Sequence, residues 1–292
     1  MNKIQNILPK YSHSEIDDFD NEDKFMDAYV ELLKQSIELI EIVMTKKYFD
    51  ENENPKIINR NDAVIGGNLT RLFKLNFSIL QNICNGQIEI CYIINRCLAE
   101  TAINIIFLLR EDETVKRQYI KHSLLSEKEL WESIVTNVKN RDGDVLPIEE
   151  RMQKSILKSF DKSDFDLEEI KRSSKWKSIK FRSEKVFNEH FYAIYYGMST
   201  HSVHGNWQDI LDNDLIISKD AFKLNREFNL PRPQIVEGPI SLNFNVIYNF
   251  CERELKNFSI SKDIMNKCIE LQKYLSDLSE HHEILIMKKS WQ

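Results

Sequence analysis

Gln87 to Arg110 reads QIEICYIINRCLAETAINIIFLLR, and the fold turns on this stretch. Apolar residues cover nearly every side of a helix of that length, where a surface helix would show a single stripe. That is the pattern of an element around which others pack. The run is close to membrane length, yet it carries Glu89, Arg96 and Glu100, and charges near the middle of a span are costly in lipid. A buried core helix is expected here, and no membrane crossing.

Working outward, Asn85-Gly86 stops a preceding helix that carries Leu69, Leu72, Phe73, Phe77 and Leu80. Before it, ENENPKIINRND, residues 51–62, is a polar linker. Asp20-Asn21 can cap a helix from Glu22, in which Phe25, Tyr29, Leu32, Leu33, Ile37, Ile40 and Val43 recur at helical spacing. Downstream, a helix runs through Tyr119, Leu124, Leu125, Leu130, Trp131 and Val135 to a loop at Arg141-Asp142-Gly143-Asp144, and Pro147 opens the next at its first turn. A short helix is expected from Leu167. Residues 208–239 read as an irregular polar stretch, followed by a helix through Leu242, Phe244, Val246, Phe250 and Leu255 and a last one from Ile264 to about Met287. No strand-like alternation, repeat or low-complexity tract stands out. The chain is read as all-α, a multi-helix bundle in three stretches: an N-terminal helix and linker over 1–60, a core helical domain over 61–207, and a loop with C-terminal helices over 208–292 packing on the same core.

Composition agrees. Only 7 glycines and 6 prolines punctuate 292 residues, too few for a sandwich or barrel that turns every ten residues or so. The net charge of -6 gives no global field toward nucleic acid or an anionic membrane, so such a contact needs a local patch. The five cysteines, Cys84, Cys91, Cys97, Cys251 and Cys268, form no C-x-x-C pair and read as reduced core thiols of a cytoplasmic protein. The first residues lack an apolar leader segment, so no secretory signal is expected. Gly66-Gly67 follows no strand and makes no phosphate-binding loop, and no cofactor is expected.

The chemistry concentrates in YAIYYGMSTHSVHGNW, residues 192–207, with three tyrosines, three Ser/Thr hydroxyls and two histidines. His201 and His204 stand three apart on one helical face, and a histidine suits acid-base work near neutral pH. A metal would need further donors in a flanking motif, which is missing, so no metal is expected. Arg96 and Glu100, four apart, share a face of the most apolar helix. They read either as a structural ion pair or as pocket residues, Arg96 binding an anion and Glu100 orienting it. Just upstream, KRSSKWKSIKFRSEK, residues 171–185, sets seven basic residues among aromatics. It is either the solvated face of an amphipathic helix or an RNA-binding surface of Lys175, Trp176, Lys177, Lys180 and Arg182.

The order Arg96-x-x-x-Glu100, Tyr119, Trp176, Tyr192-x-x-Tyr195-x-x-x-Ser199, Val203-His204-Gly205 resembles a bacterial domain-of-unknown-function family, number 5677, whose characteristic positions fall on Arg96, Glu100, Tyr195, Ser199 and His204. The histidine helix, and the R-x-x-x-x-H spacing of Arg117 and His122, are similar to HEPN-type helical domains. That resemblance implies a HEPN-like bundle, a homodimer, and a metal-independent ribonuclease or toxin-like effector in phage defence. His204 would move the proton, Arg96 would stand in for the arginine that Gly197, Met198 and Ser199 do not supply, and Tyr195 and Ser199 would orient the phosphate. The alternative is a non-catalytic ligand- or protein-binding module. In it these groups form a buried polar network and the 208–239 loop meets a partner.

Overall fold

A computed structural model of the chain describes residues 3–170, 176–193, 200–219, 221–230 and 232–289. The helices are α1 (His13–Asp17), α2 (Glu22–Tyr48), α3 (Arg60–Cys84), α4 (Ile88–Arg110), α5 (Glu113–Ser123), α6 (Leu125–Asn140), α7 (Pro147–Ser163), α8 (Ile179–Val186), α9 (Glu189–Phe191), α10 (Thr200–His204), α11 (Trp207–Asn213), α12 (Gln234–Glu254) and α13 (Ile260–Lys288). Between α11 and α12 lies a hairpin of β1 (Leu215–Ser218) and β2 (Ala221–Leu224). The protein is an all-α, multi-helix bundle.

The chain divides into two compact units. The first comprises residues 1–57, 66–110 and 179–292, the second residues 58–65 and 111–178. The segment read as one central domain over 61–207 thus contributes to both, because the compact unit follows packing and not chain order.

In the first unit α12 packs against α2, α4 and α13, and α4 also packs against α8 and α10. Asn21 caps α2, its side chain accepting from the Lys24 N–H at 3.1 Å, where the sequence places the start. Helix α4 is the only one among the described residues long and apolar enough to cross a membrane. Its second half is mostly buried, with Leu98, Ala102, Ile103, Ile105, Ile106 and Leu108 fully inside, so its hydrophobicity is satisfied by neighbouring helices. Its first half is less enclosed: Ile90 and Ile93 are exposed, and Asn95, Arg96 and Cys97 only half-buried.

One polar network sits in this core. Asn76 of α3 and Asn243 of α12, both fully buried, exchange amide hydrogen bonds of 2.8 Å in each direction. Asn243 also donates to the Ser36 hydroxyl at 2.8 Å, which in turn donates to the Leu33 carbonyl. Three helices are thereby held in one register by groups that are all satisfied.

In the second unit α5, α6 and α7 close around Leu124, Ile134, Ile156, Phe160, Phe165 and Ile170. The single helix expected through Tyr119 and Trp131 is two, divided at Leu124. Pro147 opens α7 as the sequence predicts, and Glu149 accepts from the Leu146 N–H at 3.0 Å while pairing with Arg141.

Two expectations for 208–239 are corrected. The stretch contains α11 and a hairpin, and α12 begins at Gln234, well before Leu242, running through Pro239. The helix tolerates that proline because an outside donor, the Asn95 side-chain amide of α4, replaces the missing N–H. Among the cysteines Cys91, Cys251 and Cys268 are buried, whereas Cys84 is exposed, so it is not a core thiol. Burial pushes the Cys91 and Cys251 thiols up to about 12, leaving them protonated and inert.

Candidate functional site

Pro239 lies inside α12, where a helix interior would supply an N–H to the carbonyl four residues back. That carbonyl belongs to Ile235, and it accepts the Asn95 side-chain amide of α4 at 3.0 Å. The Gly238-Pro239 pair thus opens the helix ladder and α4 repairs it, and the two helices meet at the wall of a cavity in the first unit.

The cavity has a volume of about 820 Å3 and lies between α4, α10, α11 and the start of α12. Tyr92, Asn95 and Ala99 of α4 line it at helical spacing. From α10 come His201 and Ser202, from α11 Gln208, Asp209, Asp212 and Asn213, and from α12 Gln234, Glu237 and Leu242. Gly205, at φ +53, takes the left-handed conformation that turns the chain between α10 and α11. Asn206 then caps α11 by accepting from the Asp209 N–H at 3.2 Å, and its side-chain amide meets Nδ1 of His201.

Three carboxylates border this space, with no Arg or Lys among the described lining residues. Gln208 donates to both oxygens of Asp212 at 3.0 and 2.9 Å, and Asn213 donates to Asp209 at 3.0 Å, so each is held in place by a neutral amide. Burial raises the Glu237 carboxyl above its ordinary range, with the Ser279 hydroxyl opposing and Glu283 adding to the rise. Burial likewise raises the Tyr92 phenol. Asn95 spends its NH2 on Ile235, while its side-chain oxygen is buried with no hydrogen-bond partner. The wall therefore presents acceptors and wants donors.

The residues singled out in the sequence are distributed as follows. His204 is exposed on α10 and does not line the cavity; His201, one turn earlier, does. Arg96 and Glu100 lie on α4 beside the lining positions, one residue round from Asn95 and Ala99. Glu100 stands 3.9 Å from Arg182 of α8. Tyr195, Ser199 and Lys175 lie outside the described residues. Arg182, expected on an RNA-binding surface, is only 4% exposed, because α8 turns it inward against α4. Lys177 and Lys180 are exposed, and Trp176 is half-buried with its ring 5.4 Å from that of Tyr119. In the second unit Arg117 lies over the Phe165 ring at 4.3 Å, while His122 is exposed; five residues apart, they sit about 140° round the helix from each other.

Tyr92, Asn95, Asp209, Asp212 and Glu237 were not singled out from sequence. A signal existed for two of them: Tyr92 and Asn95 are polar positions spaced i, i+3 on the most apolar helix. The acidic side chains of α11 looked like ordinary loop polarity until the cavity gave them a common face. Among the described residues no three His, Cys, Asp or Glu side chains converge as a metal set would.

Neither the curated proteins nor the solved structures hold a match to this chain. Residues 62–222, more than half of its length, match the profile of the Family of unknown function (DUF5677), and they take in α4, the histidine helix α10 and α11. The chain belongs to that family.

Proposed function

We propose that the chain is a ligand-binding helical protein whose cavity takes a small molecule rich in hydrogen-bond donors and positively charged, such as an amine or guanidino compound. The observation that carries this reading is the lining: Asp209, Asp212 and Glu237 with an unpartnered Asn95 oxygen, and no Arg or Lys among the described lining residues. A volume of about 820 Å3 suits a small organic ligand. A cation entering this space gains from three carboxylates in a partly dehydrated setting, whereas a phosphate would be repelled.

Titration calorimetry with spermidine, agmatine and adenosine monophosphate tests it. The two amines are expected to bind and the nucleotide not to, with Asp212→Asn weakening amine binding by about tenfold, the loss of one charge-assisted contact. Failure of both amines to bind at millimolar concentration would sink the reading.

RNA cleavage by a HEPN-like, cytoplasmic effector is the second reading. It is supported by the His201 imidazole at the cavity rim and by Arg96 on the adjoining face of α4. Labelled RNA incubated in EDTA with the wild type, His201→Ala and His204→Ala tests it. Cleavage lost in a variant of unchanged melting temperature supports this reading, and no cleavage by the wild type removes it.

A further inference from the structure

Helix α1 is five residues long, and a helix that short does not hold itself in water. On either side of it the chain is fixed. Before it, the Leu8 carbonyl accepts from Gln35 at 2.6 Å, and Lys10 and Tyr11 both donate to Asp27 of α2. After it, Asn21 caps α2. Between these anchors α1 rests on α13 through the buried Ile16 and through two histidine-aspartate pairs that run in opposite senses. His13 of α1 places Nδ1 3.2 Å from Oδ2 of Asp277, and His281 of α13 places Nε2 2.7 Å from Oδ1 of Asp17. The other nitrogen of His281, Nδ1, lies 2.7 Å from the Asp277 carbonyl. A carbonyl and a carboxylate only accept, so both ring nitrogens of His281 must donate, and only the imidazolium carries a proton on each. A neutral ring would set a lone pair against one of the two oxygens. The contact to Asp17 is the one that yields, because the carbonyl lies one turn back on the same helix and keeps its place. The His13 contact needs a proton on Nδ1 alone, which a neutral ring can hold.

We propose that α1 is a flap, closed on α13 by the doubly protonated His281 and released when that proton leaves. The groups around the ring favour the proton: the Asp277 carbonyl first, then Asp17 from α1 and Glu280 from its own helix, with burial opposing. Other nearby charges are engaged elsewhere or open to solvent. Glu15 accepts from the Ser12 N–H and hydroxyl at the start of α1, Asp18 is exposed, and Glu22 of α2 faces His282 and Lys289. The value of His281 is therefore raised, so the flap is closed below about 6.5 and opens as the pH rises through the higher folded value. The side chains of His281 and Asp17 are 34% and 64% exposed, so the proton shifts the opening equilibrium by only about two- to fivefold. Opening bares Ile16 and the Tyr274 ring, against which His13 stands edge-on at 5.8 Å. None of these residues lines the cavity, and the flap is independent of the ligand reading.

Amide hydrogen exchange of the full chain at about pH 6 and pH 9, corrected for the intrinsic exchange rate at each pH, tests it. The probes are the Ile16 and Phe19 N–H groups, which donate to the Ser12 and Ile16 carbonyls, with the amides of α12 as the reference. In the wild type their protection relative to α12 is expected to fall about two- to fivefold at the higher pH. In His281→Asn and in Asp17→Asn it is expected to be low already at the lower pH and to change no further. Wild-type protection that is the same at both pH values overturns the proposal, as does an equal fall in Asp17→Asn. Nitrogen NMR gives a second reading that does not depend on the exchange rates. His281 is expected to titrate above the ordinary histidine value of about 6.5, and lower in Asp17→Asn than in the wild type. Titration of the wild-type ring at or below that value overturns the proposal equally.

Discussion

Truncating Asn243 to alanine tests how the core is held in register. In the native protein Asn243 exchanges two hydrogen bonds with Asn76 and donates a third to Ser36. After truncation the Asn76 NH2 keeps the Leu72 carbonyl and the Ser36 hydroxyl keeps Leu33. The Asn76 side-chain oxygen keeps nothing, at full burial, which costs about 1–3 kcal/mol. The space left by the amide adds about 1 kcal/mol. The expected loss is therefore about 2–4 kcal/mol, read in a thermal melt as a drop of roughly 5–10 °C for a unit of this size. Asn76→Ala/Asn243→Ala removes the orphan together with its partner, so it should cost less than the sum of the two single variants by about 1–3 kcal/mol. A matched apolar pair, Asn76→Leu/Asn243→Leu, should recover most of the loss. If Asn243→Ala melts within a degree of the wild type, or the two truncations simply add, the amide pair is not what couples these helices.

His282, 1% exposed and packed against Phe25, is held below the ordinary histidine value by burial, with Glu22 opposing. Its contribution is present above the unfolded value near 6.5 and is lost as the pH falls through the lower folded value. His282→Phe should therefore flatten the decline in melting temperature as the pH falls below about 6.5. His281 has the opposite sign. The Asp277 carbonyl first and Asp17 after it raise its value, so what it contributes is full below 6.5 and fades as the pH rises through the folded value, and His281→Asn should trim stability on the acid side only. In the cavity, the raised carboxyl of Glu237 means that amine binding should weaken on acidification at a higher pH than an ordinary carboxylate would give, and Glu237→Gln should remove that early loss. Asn95→Ala should cost about 1–2 kcal/mol by stranding the Ile235 carbonyl, and much less in a Pro239→Ala background, where the restored N–H reaches the same oxygen; equal costs would refute the repair of α12 by α4. Arg182→Ala should lower stability by about 2–4 kcal/mol, whereas Lys177→Ala and Lys180→Ala should leave melting unchanged, as expected of exposed side chains.

The elements whose apolar residues recur at a fixed period were legible. Helix α2 starts where Asn21 caps it, α4 is the central apolar helix, and α7 opens on Pro147, because caps, prolines and periodicity are local properties of the chain. The hairpin was not legible, since Leu215–Ser218 and Ala221–Leu224 are short and set in a polar, proline-bearing stretch, too brief for alternation to register. The start of α12 was missed because Pro239 reads as a helix breaker, and only the Asn95 amide arriving from α4 makes it harmless.

The site divides in the same way. The sequence by itself determined that α4 is a core helix and that it carries polar groups which must find partners, for this follows from the cost of burying unpaired polar atoms. Only the tertiary structure decided which groups meet. His201 reaches the cavity and His204 does not, because Gly205 ends α10 and turns the chain into α11. Arg182 goes inside with Glu100 nearby, and Asp209, Asp212 and Glu237 line one cavity from two helices separated by a hairpin. Periodicity fixes the face a residue occupies on its own helix; what lies opposite that face depends on how the helices cross, and crossing is settled by the packing of the whole core.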